Sequence, residues 1–303
     1  AQLIERMQNG PKTEEGEILD AIVLKRVEEL CEHVIGDKCT VEMLVSVGSN
    51  PTALSLVAET WRLLLCDRQD CGGQLAISRK NDAKLIDYGV PEALCSIIKS
   101  LLQFGRESTI DDKQKKHNQR GLESCYRSLA MQCIHNNPHD VPHSVRKMAA
   151  AHMLSFVYQQ DKSQTGDGTS GSAMMIYEAL LALTNLCLVS KDIRDVVFSF
   201  SMSESSLPLS NSSKSLDAGA TQSNAVQDVV DGIGLLHKCL YDPNERIRAA
   251  TLECFNNLCM GEDAYPWLKD KFDSVVKIAC ASCRSGDSRT KSAACSFLAQ
   301  LSF

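Results

Sequence analysis

The chain has 303 residues and a formal charge of −6, with 44% of residues in the AVILMFWYC set but only 5% aromatic. That length can bury a core without disulfides or metals, and a core of Leu, Ala, Val, Ile and Cys favours packed helices over a β-sandwich. The most apolar stretch, residues 173–189, is interrupted by Glu178, Thr184 and Asn185, which excludes a membrane-spanning helix and makes a membrane an unexpected partner.

The first fifty residues are acidic, ten acids against five bases, and the rest of the chain is close to neutral. Nucleic acid is therefore not an expected partner. The start at Ala1 reads as a piece of a longer protein, and no basic region followed by an apolar one marks a secretory signal. Gly10-Pro11 and Gly72-Gly73 are loop punctuation rather than phosphate cradles. Residues 53–66 predict a long helix, and Asp87-Tyr88-Gly89-Val90-Pro91 opens another through Ile98, with Pro91 in its first turn. The cluster Lys113, Lys115, Lys116 and Arg120 follows Asp111 and Asp112 without interleaved aromatics, and reads as a solvated loop. Cys133, His135, His139 and His143 could converge on a metal, but Pro138 and Pro142 break the helix that would align the three histidines, which read as an unliganded polar loop. A second long helix is predicted over 145–158.

A Gly/Ser linker is expected at 161–172, between divergent N-terminal repeats (1–160) and more regular C-terminal ones (173–303). Residues 201–226 are too polar to bury and read as a Ser-rich insertion; ten Ser and Thr between Ser201 and Ser223 make it a phosphorylation candidate. A short helix follows over 232–240, then the turn Tyr241-Asp242-Pro243-Asn244. The next helix carries Ile247, Ala250, Thr251, Cys254 and Leu258 on one buried face. Cys280-Ala281-Ser282-Cys283 sits in a helix-like run without a second ligand pair, so it is not read as a zinc or redox motif. The fourteen cysteines are scattered mostly singly in apolar segments, as small buried residues of a reduced, cytoplasmic chain. No metal or cofactor is expected.

An internal repeat organises these elements. Glu245 to Met260 aligns on Ser288 to Phe303, placing Asn257-Leu258 on Gln300-Leu301, Ala250 on Ala293 and Arg246 on Arg289. In the other direction, Asn257-Leu258-Cys259 aligns on Asn185-Leu186-Cys187 and Leu252 on Leu180. With the Ser-rich tract set aside, the spacing approaches the ~40–47 residues of armadillo or HEAT units. The expected fold is all-α, a right-handed armadillo/HEAT-like solenoid of about five or six repeats.

The Gly-apolar-Pro opening and the Ala-Ala…Asn-Leu helix resemble the armadillo repeat, whose third-helix Asn faces the concave side and can bond an extended client. Arg248, Ala250, Glu253, Cys254, Asn257 and Leu258, with Glu178, Leu180, Ala182, Leu183, Thr184, Asn185 and Leu186 one repeat earlier, resemble two motifs of the UCS family of myosin-directed chaperones. That resemblance is specific over 177–303, and Ala249, Thr251 and the Ser-rich insertion depart from the family pattern. It implies binding of the myosin heavy chain motor domain in a concave groove, to promote folding or prevent aggregation. The family's tetratricopeptide module, which docks Hsp90 and Hsp70, would lie outside this chain.

Taking the matched amides and the residues one turn away gives the expected client groove: Leu181, Asn185 and Leu188; Glu253, Asn257 and Met260; Ser296, Gln300 and Phe303. Glu253 has a structural alternative, pairing with a neighbouring Arg. Ordinary packing between repeats competes for Leu181, Leu188 and Met260, and local bonding near helix ends competes for the Asn residues. A general armadillo adaptor is the second reading. An import receptor fits less well, because neither Trp61 nor Trp267 stands four residues before an Asn. The chain carries none of the P-loop, nucleophile-elbow, zinc-protease or dinucleotide motifs, so it does not read as an enzyme.

Overall fold

The computed structural model describes residues 50–65, 82–106, 111–163, 170–202, 230–261 and 264–302. These form eleven helices: α1 (Pro51–Leu65), α2 (Asp82–Asp87), α3 (Val90–Gly105), α4 (Asp112–His135), α5 (His143–Ser163), α6 (Ser170–Val189), α7 (Lys191–Ser199), α8 (Gly232–Cys239), α9 (Glu245–Leu258), α10 (Tyr265–Ser282) and α11 (Ser288–Leu301). The only strands among the described residues, β1 (Ser201–Met202) and β2 (Val230–Asp231), pair antiparallel as Ser201↔Asp231 and Met202↔Val230. They clasp the two ends of the Ser-rich insertion, most of which lies outside the described residues, as do Gly10-Pro11 and Gly72-Gly73. The described helices reach Ser163 and resume at Ser170, so only the middle of the expected 161–172 linker is left outside them.

Short polar side chains start several of these helices by accepting from otherwise unpaired first-turn amides. Asn50 Oδ1 accepts from Thr52 N at 2.9 Å, Asp111 Oδ1 from Gln114 N at 2.7 Å, Asn244 Oδ1 from Arg246 N at 3.0 Å and Asp287 Oδ2 from Thr290 N at 2.7 Å. The entry to α3 needs Gly89, whose φ of 73° is left-handed, ahead of Pro91 in the first turn. Asp111 corrects one expectation: Lys113, Lys115, Lys116 and Arg120 are not a loop but the opening turns of α4. The cap, Asp112 at the positive end of the helix and a run of good helix formers outweigh the cluster's self-repulsion.

The packing is that of an α-solenoid. Five helices stack in sequence order, α1 on α4, α4 on α6, α6 on α9 and α9 on α11, while α3, α5, α7, α8 and α10 form the second layer. The repeat alignment holds at residue level, since α9 and α11 begin and end at aligned residues and their caps, Asn244 and Asp287, are aligned too. The expected inner face of α9 is buried, with Ile247, Ala250, Thr251 and Cys254 fully enclosed and Leu258 nearly so. Trp61, Tyr126, Phe156, Tyr158, Phe255 and Phe297 are the largest enclosed side chains. Tyr126 stacks on Phe156 with centroids 4.6 Å apart, and Phe255 meets Phe297 at 6.2 Å. The crossing of α4 on α1 is close: a methyl on Gly121 would stand 2.7 Å from Ser55 Oγ and 3.0 Å from Ser55 Cα.

Most of the described thiols behave as small core residues. Cys95, Cys125, Cys133, Cys187, Cys239 and Cys254 are buried, and burial pushes Cys95 and Cys133 up to about 12. Cys280, Cys283 and Cys295 differ from expectation: Cys280 and Cys295 are exposed, and Cys283 is half-buried at the end of α10.

Candidate client-binding face

The candidate face is built on the stacked helices α4, α6, α9 and α11, whose relative positions are fixed by side chains reaching from one helix to the next. Arg127 of α4 forks onto Glu178 of α6, with Nε to Oε2 and Nη2 to Oε1 both at 2.8 Å. Both side chains are largely withdrawn from solvent, 14% and 4% exposed. Arg289 of α11 makes a similar fork onto Glu253 of α9, at 3.0 and 2.8 Å. Its Nη1 also donates to the Tyr177 hydroxyl of α6, and its guanidinium lies 5.5 Å from that ring's centroid. One cation thereby ties three helices together, and its hydrogen bond to Glu253 raises its already high pKa.

The sequence-predicted amides join the same framework. Asn185 Nδ2 donates to the carbonyls of Cys133 (3.2 Å) and Ile134 (3.4 Å) near the end of α4. Asn257 Nδ2 donates to the Thr184 carbonyl of α6 at 2.8 Å. Thr184 Oγ1 in turn donates to the Ala250 carbonyl of α9 at 3.3 Å and to its own helix's Leu180 carbonyl at 2.8 Å. These N–H groups bond the preceding repeat, so their recurrence at one helical phase has a packing cause. Each bond of this kind contributes about 1 kcal/mol.

The other predicted residues divide by exposure. Leu181 is half-buried and packs against the core, and Glu253 is the Arg289 partner that the structural alternative anticipated. Leu188 and Met260 are each 55% exposed, and Ser296 is exposed. Gln300 is half-buried, and Phe303 lies outside the described residues. Met260 and Gln300 come together in a cleft of about 1300 Å³ between the ends of α9 and α11 and the first half of α10. Tyr265 (70% exposed), Phe272 (45% exposed), Cys259 and Leu301 supply further apolar lining. Lys269, Lys271 and Asp273 are its exposed charges. Burial, then Lys271, lowers the pKa of His237, so this lining side chain is neutral at pH 7.

The reading of the sequence missed Arg127, Arg289, Tyr177 and the aromatic pair Tyr265 and Phe272. Arg289 had one available signal, its alignment on Arg246; the others had none within a single repeat. His143 and Cys133 do not converge on a metal. His143 Nε2 meets Asp192 at 3.1 Å with Lys147 beside it, whereas Cys133 is buried. Among the described residues there is no group of three His, Cys, Asp or Glu able to hold a metal, and no helix long and apolar enough to cross a membrane.

No family model and no curated protein sequence matches the chain. Among solved structures it is similar to an engineered protein (14% identity, TM-score 0.40, covering 91% of this chain and 96% of that one). It is similar to the UNC-45 chaperone, whose structure concerns binding and folding muscle myosin (15% identity, TM-score 0.40, 88% of this chain and 29% of that one). It is also similar to a chain from a cadherin–β-catenin structure (13% identity, TM-score 0.43, 96% of this chain and 57% of that one). The chain thus spans less than two thirds of the length of the latter two.

Proposed function

We propose that the chain is a protein-interaction solenoid of the myosin-directed chaperone type. It holds an incompletely folded segment of the myosin heavy chain motor domain against α6, α9 and α11, promoting folding or preventing aggregation. The observation that carries this reading is the set of large apolar side chains left in solvent next to the motif amides. Leu188 and Met260 each stand one turn beyond a bonded Asn, and Met260 continues into the cleft with Tyr265 and Phe272. A folded segment has little use for such a surface, whereas an extended client with exposed apolar residues fits it. Asn185, Asn257 and Glu253 serve by holding the helices in register, and Leu188, Met260 and Phe272 make the contact. Gln300 and Ser296 extend the surface along α11.

Holding and release are binding steps, so the proposal involves no catalysis, cofactor or metal. It places the protein in the cytoplasm, with Hsp90 and Hsp70 reaching the client through regions outside this chain. The exposed Lys269 and Lys271 at the cleft favour the second reading, a general armadillo adaptor for an acidic amphipathic segment. Titrating myosin motor domain, held partly unfolded in mild urea that leaves the chain's circular dichroism unchanged, into the chain by calorimetry separates the two. The chaperone reading expects binding that weakens at least tenfold in a Leu188→Ser, Met260→Ser, Phe272→Ser variant with unchanged circular dichroism. Absence of binding, or binding indifferent to those changes, overturns it.

A further inference from the structure

The sulfurs of Cys283, at the end of α10, and Cys295, midway along α11, lie 3.6 Å apart. They are in van der Waals contact, on neighbouring helices joined by the short turn after Ser282. Cys295 is exposed and Cys283 half-buried, so a small oxidant reaches both, unlike the six buried thiols. A disulfide has an S–S length near 2.05 Å, so closure takes an approach of roughly 1.5 Å, within reach of side-chain rotation. Cys280, exposed one turn earlier on α10, adds a third accessible thiol to the group.

We propose that Cys283 and Cys295 are an oxidation site, closing to a disulfide that fastens α10 to α11 when the protein meets a hydroperoxide. The more exposed Cys295 thiolate attacks the outer peroxide oxygen, giving a sulfenic acid and an alcohol or water. The Cys283 thiolate then attacks that sulfenyl sulfur and expels hydroxide, which takes up a proton as water. Two thiols and one hydroperoxide thus give one disulfide, one alcohol (or water) and one water, the peroxide oxygen being reduced. A dithiol reductant reverses the step through exchange. Because α10 supplies Tyr265 and Phe272 to the cleft and α11 supplies Gln300 and Leu301, the bond fixes the spacing of two of its walls. This inference stands on the thiols alone and does not depend on the identity of the client.

The test treats the native chain with hydrogen peroxide, blocks remaining thiols with N-ethylmaleimide, and maps tryptic peptides without reduction. The expected product joins peptide 278–284 to peptide 292–303 with Cys280 alkylated. It disappears in Cys283→Ser and in Cys295→Ser and persists in Cys280→Ser. Closing so short a loop raises the melting temperature by about 5 °C on oxidation, in the wild type and in Cys280→Ser only. Alkylation of both Cys283 and Cys295 after treatment, a link through Cys280, or an equal yield from the urea-unfolded chain would each overturn the proposal.

Discussion

Replacing Arg127 by Met tests whether the stacked helices are held by buried charge as well as by apolar contact. The fork onto Glu178 makes two 2.8 Å bonds across the α4–α6 junction, and the Glu178 side chain is only 4% exposed. Removing the guanidinium leaves a carboxylate enclosed without its cation, a situation that costs about 3–5 kcal/mol. For an array of this size, at about 2–4 °C per kcal/mol, the melting temperature should fall by roughly 10 °C. Because repeat arrays are stabilised between nearest neighbours, the loss should also broaden or split the transition, with the α1–α4 side melting ahead of α6–α11. Thermal unfolding followed by far-ultraviolet circular dichroism gives both readings. The double replacement Arg127→Met, Glu178→Met should recover most of the loss, because no charge then remains buried. A single-mutant shift below about 2 °C would refute the reasoning, showing that water reaches Glu178 and that the junction is apolar in origin.

Two further outcomes follow from single residues. His152, edge-on to Tyr126 at 6.2 Å, is held by burial at a pKa of about 4, below its ordinary 6.5. The unfolded chain therefore binds its proton first on acidification. The stability contributed by the neutral ring is complete above pH 6.5 and falls away toward pH 4, by about 2 kcal/mol at pH 5. Urea titrations of His152→Gln at pH 7 and pH 5 should show a smaller drop than wild type; an equal drop would move the acid sensitivity elsewhere. Gly121→Ala places a methyl against the backbone of Ser55 and should destabilise by about 1–3 kcal/mol, read as a lower urea midpoint. A midpoint within error of wild type would mean that α1 shifts freely on α4.

What was legible in the sequence was whatever repeats or punctuates locally. The 3.6-residue spacing of Ile247, Ala250, Cys254 and Leu258 marked the buried face of α9, and the alignment of Glu245–Met260 on Ser288–Phe303 matched the bounds of α9 and α11. Pro91 and Gly89 marked the start of α3 for reasons of backbone geometry alone. The basic run after Asp111 was read as a loop because charge density was weighed and the cap was not. At the candidate face, the amides were found by their phase, but the spacing of one repeat could not say whether they point to a client or to the next helix. Their bonds to Cys133, Ile134 and Thr184 cross 51 to 73 residues of chain. The forks of Arg127 and Arg289 span 51 and 36 residues, and the thiol pair joins helices whose exposure composition does not report. Such contacts depend on how repeats stack, which the pattern within one repeat does not encode.

The most direct measurement of the functional claim is light scattering from purified myosin motor domain heated in the presence of an equimolar amount of the chain. The account predicts suppressed aggregation, lost when Leu188, Met260 and Phe272 are replaced by Ser and kept in Asn257→Ala, where only a packing bond is removed. Aggregation unaffected by the chain, or suppression that survives loss of the three apolar side chains, would contradict it.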